Sequence, residues 1–201
     1  AQHEALHVRA DHPHRGSVLH GTYGGCTAYD MSMPTPARTI AVSATPLAGV
    51  SAAEWERLLI ANPTASAFSD RAVHAAWWSA HSDTAEDVSL AARDEANNEL
   101  LGYLPLMKRP DGVIYSGATF HIDYATVLLE PTSPGAEDDV TAALADALIR
   151  TNAPLNLLRL RNEDAAHARM ISAITRAAQA NHRTATFGVE EPAPFIDLVG
   201  I

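Results

Sequence analysis

At 201 residues and 47% hydrophobic content, the chain has material for one substantial core and a length between one and two domains. Its formal charge of −10, from 24 acids against 14 bases, with Lys108 the single lysine and no basic run, argues against a nucleic-acid surface. Cys26 is the sole cysteine, which excludes an intramolecular disulfide, and no apolar stretch approaches the roughly 20 residues of a bilayer span. With no basic-then-apolar signal segment at its start, the sequence reads as a cytoplasmic protein that contacts neither nucleic acid nor membrane.

Residues 1–37 show neither helical nor strand periodicity and read as an irregular, partly disordered leader. The segment carries His3, His7, His12, His14 and His20, followed by Gly21, Gly24, Gly25, Pro34 and Pro36. Without an ordered scaffold those imidazoles are adventitious metal ligands rather than a built site.

Regular structure is expected from Thr39–Ala44, a strand. Ser51 then opens a helix, Glu54 completes a capping box, and Trp55, Leu58 and Leu59 form the inward stripe. Asn62-Pro63 stops it. Ser69 or Asp70 caps a second helix with Val73, Ala76 and Trp77 inward; Trp78 lies off that stripe, and His74 reads as a surface histidine. Val88, Leu90 and Ala92 indicate a strand, Asp94–Asn98 a polar turn, and Glu99–Lys108 a returning strand that Pro105 bulges or places at an edge. Pro110-Asp111-Gly112 turns into a short strand, Val113–Ser116.

Glu137, Asp138 and Asp139 begin a helix along Val140, Ala143, Leu144, Ala147 and Leu148 that ends at Arg150, with charges placed to suit its dipole. Leu155–Arg161 is a strand and Ala165–Ala180 a helix with Met170, Ile171 and Ile174 inward. Asn181 is its expected left-handed stop. Thr184–Val189 gives a last strand before Phe195-Ile196-Asp197-Leu198. This order predicts an α/β fold with a mixed central β-sheet flanked by helices.

Five stretches in this order carry a family resemblance. They are Asn62-Pro63-Thr64-Ala65-Ser66-Ala67-Phe68 before Ala75-Ala76-Trp77-Trp78; Gly102-Tyr103-Leu104-Pro105-Leu106; Asp123-Tyr124 before Leu128-Leu129-Glu130-Pro131; Leu157-Leu158-Arg159-Leu160-Arg161-Asn162; and Pro194-Phe195-Ile196-Asp197-Leu198. Over 38–198 the chain resembles the N-terminal half of GNAT-superfamily acyltransferases of the CelD type, which are linked by name to bacterial cellulose synthesis and are similar to FemAB-type aminoacyl ligases. The resemblance implies a GNAT-like lobe over 38–201, with acceptor recognition shared at a junction with a second lobe that carries acyl-CoA. The partners it implies are that second lobe or another copy of the chain, and a small-molecule amine acceptor. A GNAT cofactor loop reads Gln or Arg, two residues, Gly, one residue, then Gly or Ala, and its backbone N–H groups hold pyrophosphate. Arg15-Gly16 and Gly21–Gly25 have the wrong spacing for it, so no acyl-CoA site is expected on these residues alone.

Within such a lobe, His121 and Asp123 are the candidates to take a proton from an attacking amine, with Tyr124 beside them for substrate. Asp123 equally suits a turn cap, and Tyr124 a packed ring with a solvated hydroxyl. Arg161 and Asn162, at the carboxyl end of a strand, are placed to bind a carboxylate or phosphate; the plainer reading pairs Arg159 and Arg161 with surface acids. Phe68 and Trp78 offer aromatic surface, while Trp55 and Trp77 fit core stripes. No nucleophile elbow, Walker loop or dinucleotide glycine pattern occurs. The competing reading is a non-catalytic module that binds a small molecule or a protein. An apolar docking surface near Phe195–Leu198 is expected of the acyltransferase lobe alone.

Overall fold

The computed structural model describes residues 2–10, 38–118, 125–131, 138–161 and 164–192. Ten strands and four α-helices are present among them: β1 Gln2–Ala10, β2 Ile40–Ala44, α1 Ala52–Ile60, α2 Arg71–His81, β3 Glu86–Asp87, β4 Leu90–Asp94, β5 Leu100–Leu104, β6 Leu106–Lys108, β7 Ile114–Ser116, β8 Leu128–Leu129, α3 Asp139–Arg150, β9 Leu155–Arg161, α4 Ala165–Ala180 and β10 Arg183–Pro192. The fold is mixed α/β, as the element order predicted. No helix among the described residues is long and apolar enough to cross a membrane.

The single expected sheet is two. One has six strands in the order β10-β1-β9-β7-β6-β3 and is mixed, because β7 and β9 run parallel. The other, β2-β4-β5-β8, is antiparallel. Pro105 is the hinge between them. The run from Glu99 to Lys108, expected as one strand, divides there: β5 stays in the four-stranded sheet and β6 joins the six-stranded one. Proline donates no ladder bond, and its carbonyl instead accepts from Gly117 N at 2.9 Å. A Cβ on Gly117 would come within 2.8 Å of Pro105 Cβ, so only glycine admits this approach.

The leader reading is corrected over residues 2–10. They form β1, antiparallel to both β9 and β10, while 11–37 lie outside the described residues. Alternation at Leu6, Val8 and Ala10 was too short and too diluted by histidine to signal a strand. The pairing comes from chain some 150 to 190 positions away, which no local window contains.

Helices cover both faces of the four-stranded sheet. Leu90, Ala92, Leu101, Leu104 and Leu129 join Val140, Leu144 and Leu148 of α3 and Met170 and Ile174 of α4 in the main core. Ala91, Leu100, Tyr103 and Leu128 point the other way, onto Trp55 and Leu58 of α1. Every residue of β5 is therefore buried, the signature of a strand packed on two sides.

The ends of the helices follow their sequences. Ser51 and Glu54 close the expected capping box on α1, and Asp70, not Ser69, caps α2. Asn181 does not adopt the left-handed conformation; its amide donates to Ala177 O at 2.8 Å, and His182 takes the positive φ of 54°. Arg183 then reaches back with Nη1 to Ile149 O, 2.9 Å, and Nη2 to Ala153 O, 2.8 Å, placing a cation against the carboxyl end of α3.

Candidate functional site

The parallel pair β7/β9 parts after two residue pairs, Ile114 with Leu155 and Tyr115 with Asn156. β7 ends at Ser116, whereas β9 continues to Arg161. Beyond the parting, Leu158 O accepts from Ser116 Oγ at 3.2 Å and Arg159 O accepts from Ala125 N at 3.1 Å. Two residues of β9, Leu158 and Arg159, stand opposite the single residue Ala5 of β1, because Glu4 pairs with Leu160 and Leu6 with Leu157. This is a β-bulge. Arg159 sits in it at φ 61°, and Ala118, two residues beyond β7, is buried at φ 60°. Left-handed backbone at a residue with a Cβ costs about 1 kcal/mol and concentrates at functional positions. The strand sequence Leu-Asn-Leu-Leu-Arg-Leu-Arg carried no glycine to announce the bulge.

Behind the parting runs a buried polar chain. Thr126, next to Ala125, accepts from His74 Nε2 at 2.9 Å and donates to Ser69 Oγ at 3.2 Å. Ser69 O in turn accepts from Trp55 Nε1 at 3.0 Å. Because the threonine hydroxyl is spent on Ser69, His74 must supply the proton of its own bond, which makes it the Nε2–H tautomer. Its Nδ1 is left buried without a partner. Burial depresses this imidazole to about 4, against a weak opposing pull from Asp70, so it is neutral near pH 7.

The surface reading of His74 is thus overturned: the side chain is 1% exposed, while Ala76, expected inward, is exposed. The inward face of α2 is His74 and Trp77, three residues apart, with Val73, Ala75 and Trp78 partly buried beside them. A stripe built only from apolar residues skipped the histidine. The i,i+3 spacing to Trp77 was the signal that could have found it.

At the carboxyl end of β9, Arg161 Nη2 donates to Thr64 O at 2.5 Å and pairs with Asp164 Oδ2 at 3.1 Å. Asp164 caps α4 by accepting from Ala166 N and His167 N, and His167 Nδ1 accepts from Arg161 N at 2.9 Å. Burial drives the Asp164 carboxyl upward, but the His167 ring, the cap bonds and Arg161 together hold it below its ordinary value. Arg161 thereby ties the Asn62–Ala65 turn to the start of α4. Its acidic partner is the buried helix cap rather than a surface acid.

The aromatic candidates come together. Phe68, Trp77 and Trp78 share one cluster with Met107, Ala118 and Tyr115, and the two indoles meet edge to face at 4.9 Å. Trp55 and Trp77 are core residues, as expected. Trp78 also lines an open cleft of about 370 Å³ between α2 and the turn at residues 46–48. His121, Asp123, Tyr124, Asn162 and Phe195–Leu198 lie outside the described residues; the buried Ala118 and Ala125 bracket the first three. No group of three or more metal-ligating side chains occurs among the described residues. Comparison with protein-family models, with curated proteins and with solved structures found no match.

Proposed function

We propose that the chain is a lobe of a GNAT-type N-acyltransferase, which passes an acyl group from acyl-CoA to an amine, and that this lobe contributes acceptor binding. The observation that carries the reading is the parting of the parallel strands β7 and β9, with a bulge at Leu158–Arg159 on one side of it. Ligands in open α/β sheets bind beyond the carboxyl ends of parallel strands, where backbone groups are released from the ladder. Ala125, whose N–H reaches Arg159 O, and Ala118 flank the candidates His121 and Asp123 in the chain, which supports an acceptor role for that stretch.

In this role His121 or Asp123 takes the proton from the attacking amine, and Tyr124, Arg161, Asn162 and Phe68 shape its surroundings. His74 stays out of the proton transfer, since it is sealed in the core as a neutral ring. Acyl-CoA belongs to the complete enzyme, because the pyrophosphate loop is not found in these residues.

Calorimetric titration of the chain with acetyl-CoA, and separately with a panel of primary amines that includes hexosamines, tests both halves. Saturable heat from at least one amine, and none from acetyl-CoA, is expected. Tight stoichiometric acetyl-CoA binding would overturn the division of labour, and silence from every amine would remove the acceptor role. A small-molecule binding module is the second reading, favoured by the cleft beside Trp78.

A further inference from the structure

The cleft beside Trp78 is separate from the parted strands, since none of its walls comes from β7 or β9. Its volume, about 370 Å³, falls in the range of small-ligand sites. Pro46, Leu47 and Ala75 join the Trp78 indole in an apolar wall. Among the described residues, two charged side chains line it, Arg71 from α2 and Asp87 from β3.

Both charges are braced from behind. Arg71 Nη2 donates to Val50 O at 3.0 Å and Leu47 O at 3.4 Å, while among the described residues its Nη1 makes no hydrogen bond and its buried Nε has no partner. Asp87 Oδ1 accepts from Ser89 N and Ser89 Oγ, and Oδ2 accepts from Leu47 N at 2.8 Å, leaving acceptor capacity on Oδ2. Opposite charges that share a cleft normally close into an ion pair. These two do not bond each other.

We infer that this cleft binds a small zwitterion with an apolar body, namely an α-amino acid with an aliphatic or aromatic side chain. Its carboxylate meets Arg71 Nη1, its ammonium meets Asp87 Oδ2, and its side chain lies against Trp78. The charges argue for this class over others. A simple anion of the same shape faces Asp87 and a simple cation faces Arg71, each at like-charge cost, whereas a zwitterion satisfies both walls of the cleft. The backbone bonds of Arg71 and Asp87 hold the two charges in place before the ligand arrives.

The test is calorimetric titration of the full chain with L-leucine and L-phenylalanine, alongside N-acetyl-L-leucine and L-leucinamide, which each lack one of the two charges. Saturable binding of the free amino acids is expected, with each blocked form weaker by about tenfold or more. Trp78→Phe should weaken both amino acids and remain folded, since it conserves an aromatic wall. Arg71→Gln should erase the preference of leucine over leucinamide. Because Arg71 also braces the 46–50 turn, the ligand comparison on the unaltered chain decides the matter should that variant unfold. Equal binding of blocked and free forms, or no saturation by about 10 mM, overturns the inference. Binding of a hexosamine without an amino acid would overturn it while leaving the acyltransferase reading intact.

Discussion

His74 couples the core to pH. Its folded value of about 4 lies below the ordinary 6.5, so between those limits the unfolded chain binds more protons than the folded one. The contribution is therefore fully present above pH 6.5 and is lost as pH falls toward 4. At 1.36 kcal/mol per unit, its full size is about 3 kcal/mol. Urea unfolding at stepped pH should show that decline, and His74→Leu should flatten it in the same window. An equally steep slope in the variant would exonerate the histidine. Glu54 acts lower on the scale. Its hydrogen bond to Arg93, opposed by burial and helped by the bonds from Ser51, holds it at about 2. Its stability is present above 4.5 and is lost on acidification toward 2. Glu54→Ala should cost about 1–2 kcal/mol near neutrality, because it removes one side of a capping box together with a half-buried ion pair.

Among the elements, α3 sits closely on the four-stranded sheet. A Cβ at Gly102 would stand 2.8 Å from Val140 Cγ1 and 3.1 Å from both Leu129 Cδ2 and Leu144 Cδ1. Val140 is β-branched and has no flexible end to yield, so the helix must lift. Gly102→Ala should destabilise by about 1–3 kcal/mol, measurable as a lower urea midpoint at unchanged slope. The same N-terminal end of α3 is tied to α4 through Arg169, which forks onto the cap residue Asp138 and donates from Nη1 to Glu130 O at 3.1 Å. Burial raises the Asp138 carboxyl, and the Arg169 fork and the Thr141 cap bonds bring it below its usual value. Arg169→Ala should lower stability by about 2 kcal/mol or more, since it strands a partly buried carboxylate and an unsatisfied carbonyl. Arg169→Lys, which keeps the charge and loses the fork, should recover only part of this.

For the whole molecule, β1 is the segment on which the six-stranded sheet depends. It lies between β9 and β10, and β10 has no other strand partner among the described residues. Deleting residues 1–37 should expose two unpaired edges and yield a species that self-associates in light scattering. A monodisperse, cooperatively unfolding 38–201 fragment would show the strand to be dispensable. The same position bears on the proposed acceptor site. β1 supplies the register against which Leu158 and Arg159 bulge, so losing it should relax Arg159 from its left-handed conformation.

Periodicity within one segment made most of the helices and strands readable in advance. The capping box at Ser51–Glu54, the stripes of α1, α3 and α4, and the limits of β9 and α4 follow from spacings of two to four residues, where local sterics and hydrogen bonding decide conformation. What remained hidden depended on residues far apart in the chain. The strand at 2–10 exists through partners at 155–161 and 183–192, and the split at Pro105 through two sheets pulling one run apart. Arg71 and Asp87 bear charges that composition records, but whether they pair, face solvent or share a cleft is set by packing alone. Short-range geometry is written in neighbouring side chains; long-range contact is the outcome of a free-energy balance over the whole fold, and no local window contains it.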